Sequence, residues 1–374
     1  MMFSNTEVLL NEFERLGIPS VDISVFHKGR EVFREMRGVS DENGTPMRGT
    51  ERYNIYSCSK PITVTAAMML LEEGKIRLED ELALYLPAFA DVRVKQAGGL
   101  LKAQKPITLL HLFTMTAGLN YDCASEAIAR GKLETEGKAP TVEMMKYIAQ
   151  IPLEFEPGAR WEYSLCHDVL AAVVEVVSGK RFGEFVKERI FDPLGMKNST
   201  FLLPDEALPT VAAQYRYDGS HFINVGREVQ TYKLGTEYES GGAGAVSTVD
   251  DYLRFLEGLR TGKLLGEDAL ALLTRDHMRE DQRVSCWVAD GYGYGLGVRT
   301  PIARSPRTDF GWGGAAGAFL AIDPQNEISV YYAQHVLSSP NSNLRKDIIE
   351  AVKLDLGYPA FKESMWCGTG STLA

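Results

Sequence analysis

The chain has 374 residues, 45% of them hydrophobic and 24% charged, the composition of an ordinary globular protein long enough to bury a large core without disulfide staples. At roughly 100–200 residues per domain it should hold two or three domains, or one large fold with an insertion. Forty basic against fifty acidic side chains leave a net charge of −10, which speaks against a nucleic-acid partner, whose footprint is basic, and against docking on anionic lipid.

Residues 1–7 carry neither the basic n-region nor the apolar h-region of a secretory signal. No stretch approaches the ~18 apolar residues of a membrane span. The five cysteines, Cys58, Cys123, Cys166, Cys286 and Cys367, are odd in number, widely spaced and without a CxxC pair. That is the pattern of reduced thiols in a cytosolic protein, so a cytoplasmic location is expected. Residues 4–17 pattern as an amphipathic helix ended by Gly17, with Ser4 and Glu7 spaced for a capping box. Residues 21–26 and 31–37 alternate apolar and polar on either side of the polar turn 27–30, and read as a β-hairpin. Residues 57–73 form a long apolar-rich helix stopped by Gly74.

From about 76 to 235 the pattern is mostly helical. Candidates are 107–115, 141–150, 165–178 and 181–190, punctuated by Gly118, Pro157-Gly158, Gly179 and Gly195. A helix over 249–260 follows the glycine-rich run 241–244. Residues 292–298, 316–322 and 328–334 read as strands, and 341–356 as a closing helix. Strands at both ends and helices in the middle predict a mixed α/β (α+β) fold. An antiparallel sheet flanked by helices would be built from both chain ends, residues 1–75 and 236–374. A mostly helical domain, 76–235, would be inserted, with the active site between them.

Ser57-Cys58-Ser59-Lys60 is an S-x-x-K tetrad at the start of a helix. Serine and lysine three apart share one helical face. An ammonium at its reference pKa of ~10.4 is a poor base, but burial and neighbouring positive charge lower it until it can take the serine proton. Free N–H groups at the helix start can stabilise a developing oxyanion. Alone, the tetrad is common, and its plain reading is a capping serine beside a solvated lysine. Ser59 has Ile62 three residues on, which leaves Ser57 as the only candidate in this segment.

The tetrad does not stand alone. Tyr53-Asn54-Ile55-Tyr56 precedes it and 70–80 (LLEEGKIRLED) follows. Then come 107–119 (ITLLHLFTMTAGL), 155–164 (FEPGARWEYS), 191–196 (FDPLGM) and 241–251 (GGAGAVSTVDD). Together, over roughly residues 20–335, these segments resemble in order the serine β-lactamase-like (penicillin-binding-protein-like) superfamily, and within it the class C β-lactamase and family VIII carboxylesterase branch. The resemblance implies that Ser57 is the acylated nucleophile, Lys60 the base or its electrostatic partner, and Tyr163 the second base and acid. A tyrosine of reference pKa ~10 can serve if Lys60 stabilises its phenolate; which of the two takes the serine proton stays open.

Two departures bear on substrate. The asparagine that usually lies two residues after the tyrosine, and helps hold a substrate amide, is replaced by Leu165. The Lys-Thr-Gly strand motif has its counterpart in Trp312-Gly313-Gly314, where the glycines let substrate approach the strand. Ala315 N–H would be the second oxyanion donor beside Ser57 N–H. Loss of the lysine removes a partner for a substrate carboxylate, and Trp312 offers an apolar wall suited to a neutral ester. Arg299, Arg304 or Arg307 could restore the charge, against their reading as ordinary surface arginines. Cys58, Cys166 and His167 lack metal-ligand spacing, and no metal or cofactor is expected. His111 reads as structural, while His335 ends a strand that could face the cleft. No Gly-x-Ser-x-Gly elbow surrounds any serine, and Asp250-Asp251 reads as a helix cap. Segments 120–140 and 205–240 should shape the cleft.

The expected activity is a carboxylesterase forming an acyl-enzyme on small or medium acyl esters. A transacylase, a D-amino-acid peptidase or amidase, and a weak β-lactamase would share the site, because fold does not fix substrate. A non-catalytic binding module would show a broken tetrad or a lost tyrosine, and both are intact. No coiled coil or basic tail supports a scaffold protein.

Overall fold

The computed structural model describes residues 2–228, 231–288 and 291–361; Cys367 lies outside them. Helix α1 (Ser4–Arg15) leads into the hairpin of β1 (Ser20–His27) and β2 (Arg30–Gly38). After β3 (Tyr53–Asn54), a single 3-10 turn, Tyr56–Cys58, runs into α2 (Ser59–Glu72). The middle of the chain carries the ribbon β4 (Arg93–Gln96) and β5 (Gly99–Lys102), then α3 (Leu109–Phe113), α4 (Glu126–Glu134), α5 (Thr141–Ile148), α6 (Cys166–Ser178), α7 (Phe182–Val186) and α8 (Asp192–Leu194). Short strands β6 (Gln214–Tyr217), β7 (Phe222–Gly226) and β8 (Val246–Ser247) follow, then α9 (Val249–Arg260), α10 (Glu267–Thr274) and α11 (Glu280–Arg283). The chain ends with β9 (Tyr292–Tyr294), β10 (Arg299–Pro301), β11 (Phe310–Gly313), β12 (Phe319–Asp323), β13 (Ile328–Ala333), β14 (Val336–Leu337) and α12 (Ile348–Asp355).

One antiparallel sheet of seven strands, in the order β2-β1-β13-β12-β11-β10-β9, organises the molecule. The two ends of the chain meet in its middle, where β1 pairs with β13 and Val25 faces Val330. Strands β12 and β13 are buried along their whole length because both faces of the sheet are covered, so the period-2 alternation divides one strand between two cores. Phe319 and Ala321 of β12 join Leu9, Leu10 and Phe13 of α1 and Ile348, Ile349 and Val352 of α12. Leu320 and Ile322 join the larger core that holds α2, α6 and α9. At about 1.5–3 kcal/mol per fully buried large apolar side chain, those three α1 residues suffice to fix the helix on the sheet.

The hairpin, α6, α9 and β13 fall within a residue or two of the expected spans. Of the expected strand 292–298 only β9, Tyr292–Tyr294, is strand; the chain then turns back, Gly295 N donating to the Val298 carbonyl (2.8 Å), and β10 begins at Arg299, beyond the expected span. Strand β12 starts at Phe319, three residues later than expected, because Gly317 turns with φ +95°. The expected helix 181–190 is α7 continued by one π turn, Lys187–Phe191. The Asp250-Asp251 pair lies in the first turn of α9, whose capping side chain is Thr248, accepting from Asp251 N. Nor does Ser4 cap α1, since it is already the first helical residue. The free amides of that helix start are taken by Asp355 of α12, whose carboxylate accepts from Asn5 N (2.8 Å), Thr6 N (2.9 Å), Asn5 Nδ2 (2.8 Å) and Thr6 Oγ1 (2.7 Å).

A carboxylate 350 residues away in sequence thus does the work of a local cap, aided by the positive end of the helix dipole. Asp355→Ala is expected to lower the free energy of unfolding by about 1–3 kcal/mol in a denaturant titration. Ser4→Ala should change it by less than about 0.5 kcal/mol, as for an ordinary surface substitution.

Candidate active site

Helix α2 is apolar on all sides, the mark of a central helix, and residues 59–70 are all buried. Lys60, its second residue, is carried into the interior and is 0% exposed. Burial lowers its pKa to about 7, against the opposing pull of Asp168 and then of Cys58, Cys166 and Cys123. The ammonium has three protons and finds three acceptors: the Gly242 carbonyl (2.7 Å), Tyr121 Oη (3.1 Å) and Ser57 Oγ (3.3 Å). It also lies over the Tyr163 ring, 4.4 Å from the centroid, and 5.2 Å from that of Tyr121.

The glycine run makes the first of these contacts possible. A side chain on Gly242 would collide with the Asp168 carboxylate and the Tyr121 hydroxyl, and one on Gly241 with the His167 carbonyl and Ala171. Asp168 is itself buried in the first turn of α6 and accepts from Ser240 Oγ (2.6 Å) and Tyr238 Oη (3.0 Å). Desolvation pushes its pKa up, opposed by the Ser240 hydrogen bond and the Lys60 charge.

Ser57 is half-buried in the 3-10 turn that precedes α2. The residue before it, Tyr56, holds φ at +47°, a left-handed conformation that costs a non-glycine residue of order 1–3 kcal/mol. Its hydroxyl, donated to Gln214 Oε1 at 2.6 Å, anchors that turn. Tyr163, in the loop before α6, faces Ser57 across the cleft and accepts from Trp312 Nε1 at 3.3 Å. Burial raises its phenol far above the ordinary value, with Ser57 and Trp312 opposing.

Ser57, Tyr163, Trp312, Gly313, Gly314 and Ala315 line a single cleft of about 480 Å3, together with Tyr232, Trp287, Arg299 and Arg345. Gly314 packs so close to the Ile55 carbonyl that a side chain there would strike it. This brings the tight turn after β11, closed by Gly314 N to the Ala318 carbonyl at 2.8 Å, against the segment that carries Ser57. One wall is aromatic, with Trp287, Trp312 and Tyr163 centroids 5.4–5.8 Å apart.

Other expected residues lie elsewhere. Leu165 is 2% exposed, packs in the main core at the start of α6 and does not line the cleft. His335 is fully buried, with Nδ1 2.9 Å from the Ala212 carbonyl and its pKa lowered by burial to about 4; it too is absent from the cleft wall. His111 is structural as expected, its Nδ1 accepting from Thr108 N at 3.1 Å. His167 is fully buried against the Phe113 carbonyl, and among the described residues no group of three or more His, Cys, Asp or Glu could hold a metal ion. Arg304 is exposed and Arg307 pairs with Glu350. Arg299 is no surface arginine. It is 9% exposed, gives Nη1 to Asp309 at 2.8 Å, and keeps a buried Nη2 that has no partner among the described residues.

Sequence reading expected the segments 120–140 and 205–240, which hold Tyr121 and Tyr232, at the cleft without naming those residues, and it missed Trp287 and Arg345. Each belongs to a loop or turn outside the motifs. Tyr121 had one further signal, two residues beyond Leu119, where the 107–119 segment ends.

Over residues 9–353 the chain matches the family described as Beta-lactamase, and it belongs to that family of serine hydrolases. Protein Rv1367c of Mycobacterium tuberculosis (strain ATCC 25618 / H37Rv) is 30% identical over 319 residues, covering 78% of this chain and 79% of its own. Esterase EstB of Burkholderia gladioli is 29% identical over 352 residues, covering 85% and 86%. Among solved structures, EstCE1, described as a hydrolase with promiscuous acyltransferase activity, superposes with a TM-score of 0.76 at 27% identity, covering 93% of this chain and 99% of its own. The mixed α/β fold with an antiparallel sheet is that of these neighbours.

Because Leu165 is a core residue, restoring the family's asparagine would bury an amide without supplying a cleft contact. Leu165→Asn is expected to cost about 2–4 kcal/mol in chemical denaturation, with no gain of nitrocefin turnover.

Proposed function

We propose that the chain is a carboxylesterase that works through an acyl-enzyme on Ser57. The observation that carries this reading is Lys60: fully buried, titrating near neutrality and within hydrogen-bond reach of Ser57 Oγ. A lysine so placed holds a substantial neutral fraction near neutral pH, where it must accept a proton. Tyr163, whose phenol is pushed well up by burial, holds no comparable fraction of phenolate. Lys60 is therefore the base and Tyr163 the proton carrier.

Ser57 Oγ attacks the ester carbonyl as its proton passes to Lys60. The Ser57 and Ala315 amides hold the oxyanion. Tyr163 gives its proton to the departing alkoxide. A water then attacks the acyl group and returns a proton to Tyr163, and Ser57 leaves with the proton that Lys60 held. Protons balance over the cycle. Ester substrates are supported by the aromatic wall of Trp287 and Trp312, and by the similarity to two proteins described as esterase and hydrolase.

Arg299 favours a second reading. Arg299 lines the cleft, and although its unpartnered Nη2 is buried, the guanidinium offers a positive charge that a substrate carboxylate could approach. That supports D-amino-acid peptides or β-lactams, which carry such a group. The cleft also draws on both parts of the domain division read from the sequence. Ser57, Arg299 and Trp312 come from the 1–75 and 236–374 part, and Tyr163 and Tyr232 from 76–235, which supports a site at their junction. The four described cysteines are free thiols, which supports a reducing, cytoplasmic setting. Among the described residues no helix is long and apolar enough to cross a membrane.

The test is hydrolysis of a p-nitrophenyl acyl series with nitrocefin alongside. Ser57→Ala should reduce ester turnover by ~10³-fold or more, and fluorophosphonate labelling should vanish with it. Since Lys60 acts in its neutral form, kcat/KM should rise with pH through a limb near 7 and be lost below it. Nitrocefin turnover rivalling the best ester would shift the assignment to the second reading. Loss of neither activity in Ser57→Ala would end both.

A further inference from the structure

We propose that Tyr121 is a positioning residue that aims the Lys60 lone pair at Ser57. The inference rests on Lys60 being the base. An amine nitrogen bonded to Cε has three remaining directions, and in Lys60 these meet the Gly242 carbonyl at 2.7 Å, Tyr121 Oη at 3.1 Å and Ser57 Oγ at 3.3 Å. In the neutral amine one direction is the lone pair. A carbonyl cannot receive it, having no proton to give. If the two remaining N–H groups are held by Gly242 and Tyr121, the lone pair has only Ser57 to face. Without the Tyr121 hydroxyl, the amine could turn about Cε–Nζ and spend its lone pair on an empty direction.

Of the groups around Lys60, the Tyr121 hydroxyl is one that it meets directly, whereas Asp168 Oδ2, though buried without a partner among the described residues, makes no hydrogen bond to it. From α6 Lys60 feels Asp168, Cys166 and His167; from the chain after α3, Cys123; from its own turn, Cys58. Tyr163 presents its ring face. Asp168 acts through its field, while its carboxylate oxygen Oδ1 is occupied by Ser240 and Tyr238. Tyr121 is itself held, with its ring 5.5 Å from Tyr163 and 5.3 Å from Tyr232, and its hydroxyl close over Gly242. The phenol is kept protonated by burial and by Asp168, and its oxygen accepts from Lys60.

The hydroxyl also favours the ammonium over the amine, because hydrogen bonds from a charged donor are the stronger ones. Removing it by Tyr121→Phe should therefore do two things. The plateau kcat should fall by ~10- to 100-fold, within the usual range for disturbing a general base, with KM changed less than about 3-fold. The acidic limb of the kcat/KM profile should move to lower pH, by roughly half a unit.

The direction of that movement separates positioning from packing. If the phenyl variant merely loosened the site and let water reach Lys60, desolvation would be relieved and the limb would move to higher pH. The limb position does not depend on the fraction of protein that is folded. Tyr121→Met carries the same expectation should the phenylalanine variant fail to fold. A limb that stays or rises, or a change confined to KM, overturns the proposal. Lys60→Met, run in parallel, distinguishes the two failures. If it retains turnover with the limb in place, the limb is not that of Lys60, and the reading of Lys60 as base falls together with the proposal. If it abolishes turnover while Tyr121→Phe leaves plateau and limb alone, only the role of Tyr121 falls.

Discussion

An ammonium drawn into a helix that is buried on every side loses its hydration, and a protein must either neutralise it or surround it with acceptors. Around Lys60 the second solution is complete, with three protons and three acceptors, while the nearest carboxylate, Asp168, acts through its field and takes its hydrogen bonds from Ser240 and Tyr238. Much of the surrounding chain serves that arrangement. The glycines at 241 and 242 let a backbone carbonyl pass between α2 and α6, and the left-handed Tyr56 turns Ser57 toward the lysine. A direct ion pair would hold the lysine charged and useless as a base. A bare apolar pocket would leave it neutral but unaimed.

The second constraint is the closure of one sheet from two chain ends. The pairing of β1 with β13 makes the position of β11 independent of the long excursion between residues 38 and 292. The contact of Gly314 with Ile55 then sets the turn carrying Ala315 against the Ser57 segment. The bond from Asp355 to the start of α1 ties the outermost layer in the same manner, end to end. The geometry of the site is thus decided by pairings between residues hundreds of positions apart.

This explains what could be read from sequence and what could not. Periodicity revealed the hairpin, α6 and α9, because each buries one regular face or run. The tetrad at Ser57, the tyrosine at 163 and the Trp312 strand were legible because each is a compact local pattern. Tyr121 and Tyr232 lie in segments expected at the cleft, but their roles become visible only where two loops converge over Lys60. Leu165 misled for the complementary reason. Motif position put it at the substrate, whereas the helix start that it occupies turns its side chain into the core. Arg299 looked like a surface residue because nothing near it in sequence reveals Asp309 as its partner.

Whether the cleft is built for neutral or anionic substrates turns on the state of Arg299. One nitrogen is committed to Asp309, which also serves Lys353, and the guanidinium lies over the rings of Tyr292 and Phe319 at 4.3 and 5.3 Å. These contacts hold it charged and immobile without using Nη2. A fixed, partly unsatisfied cation on the wall of an aromatic cleft tolerates a neutral ester at little cost, since the ester need not approach it. A carboxylate would meet there a guanidinium whose charge and orientation the fold has already fixed. What Arg299 adds to the cleft is therefore a fixed charge beside an aromatic wall, set by the fold before any substrate arrives.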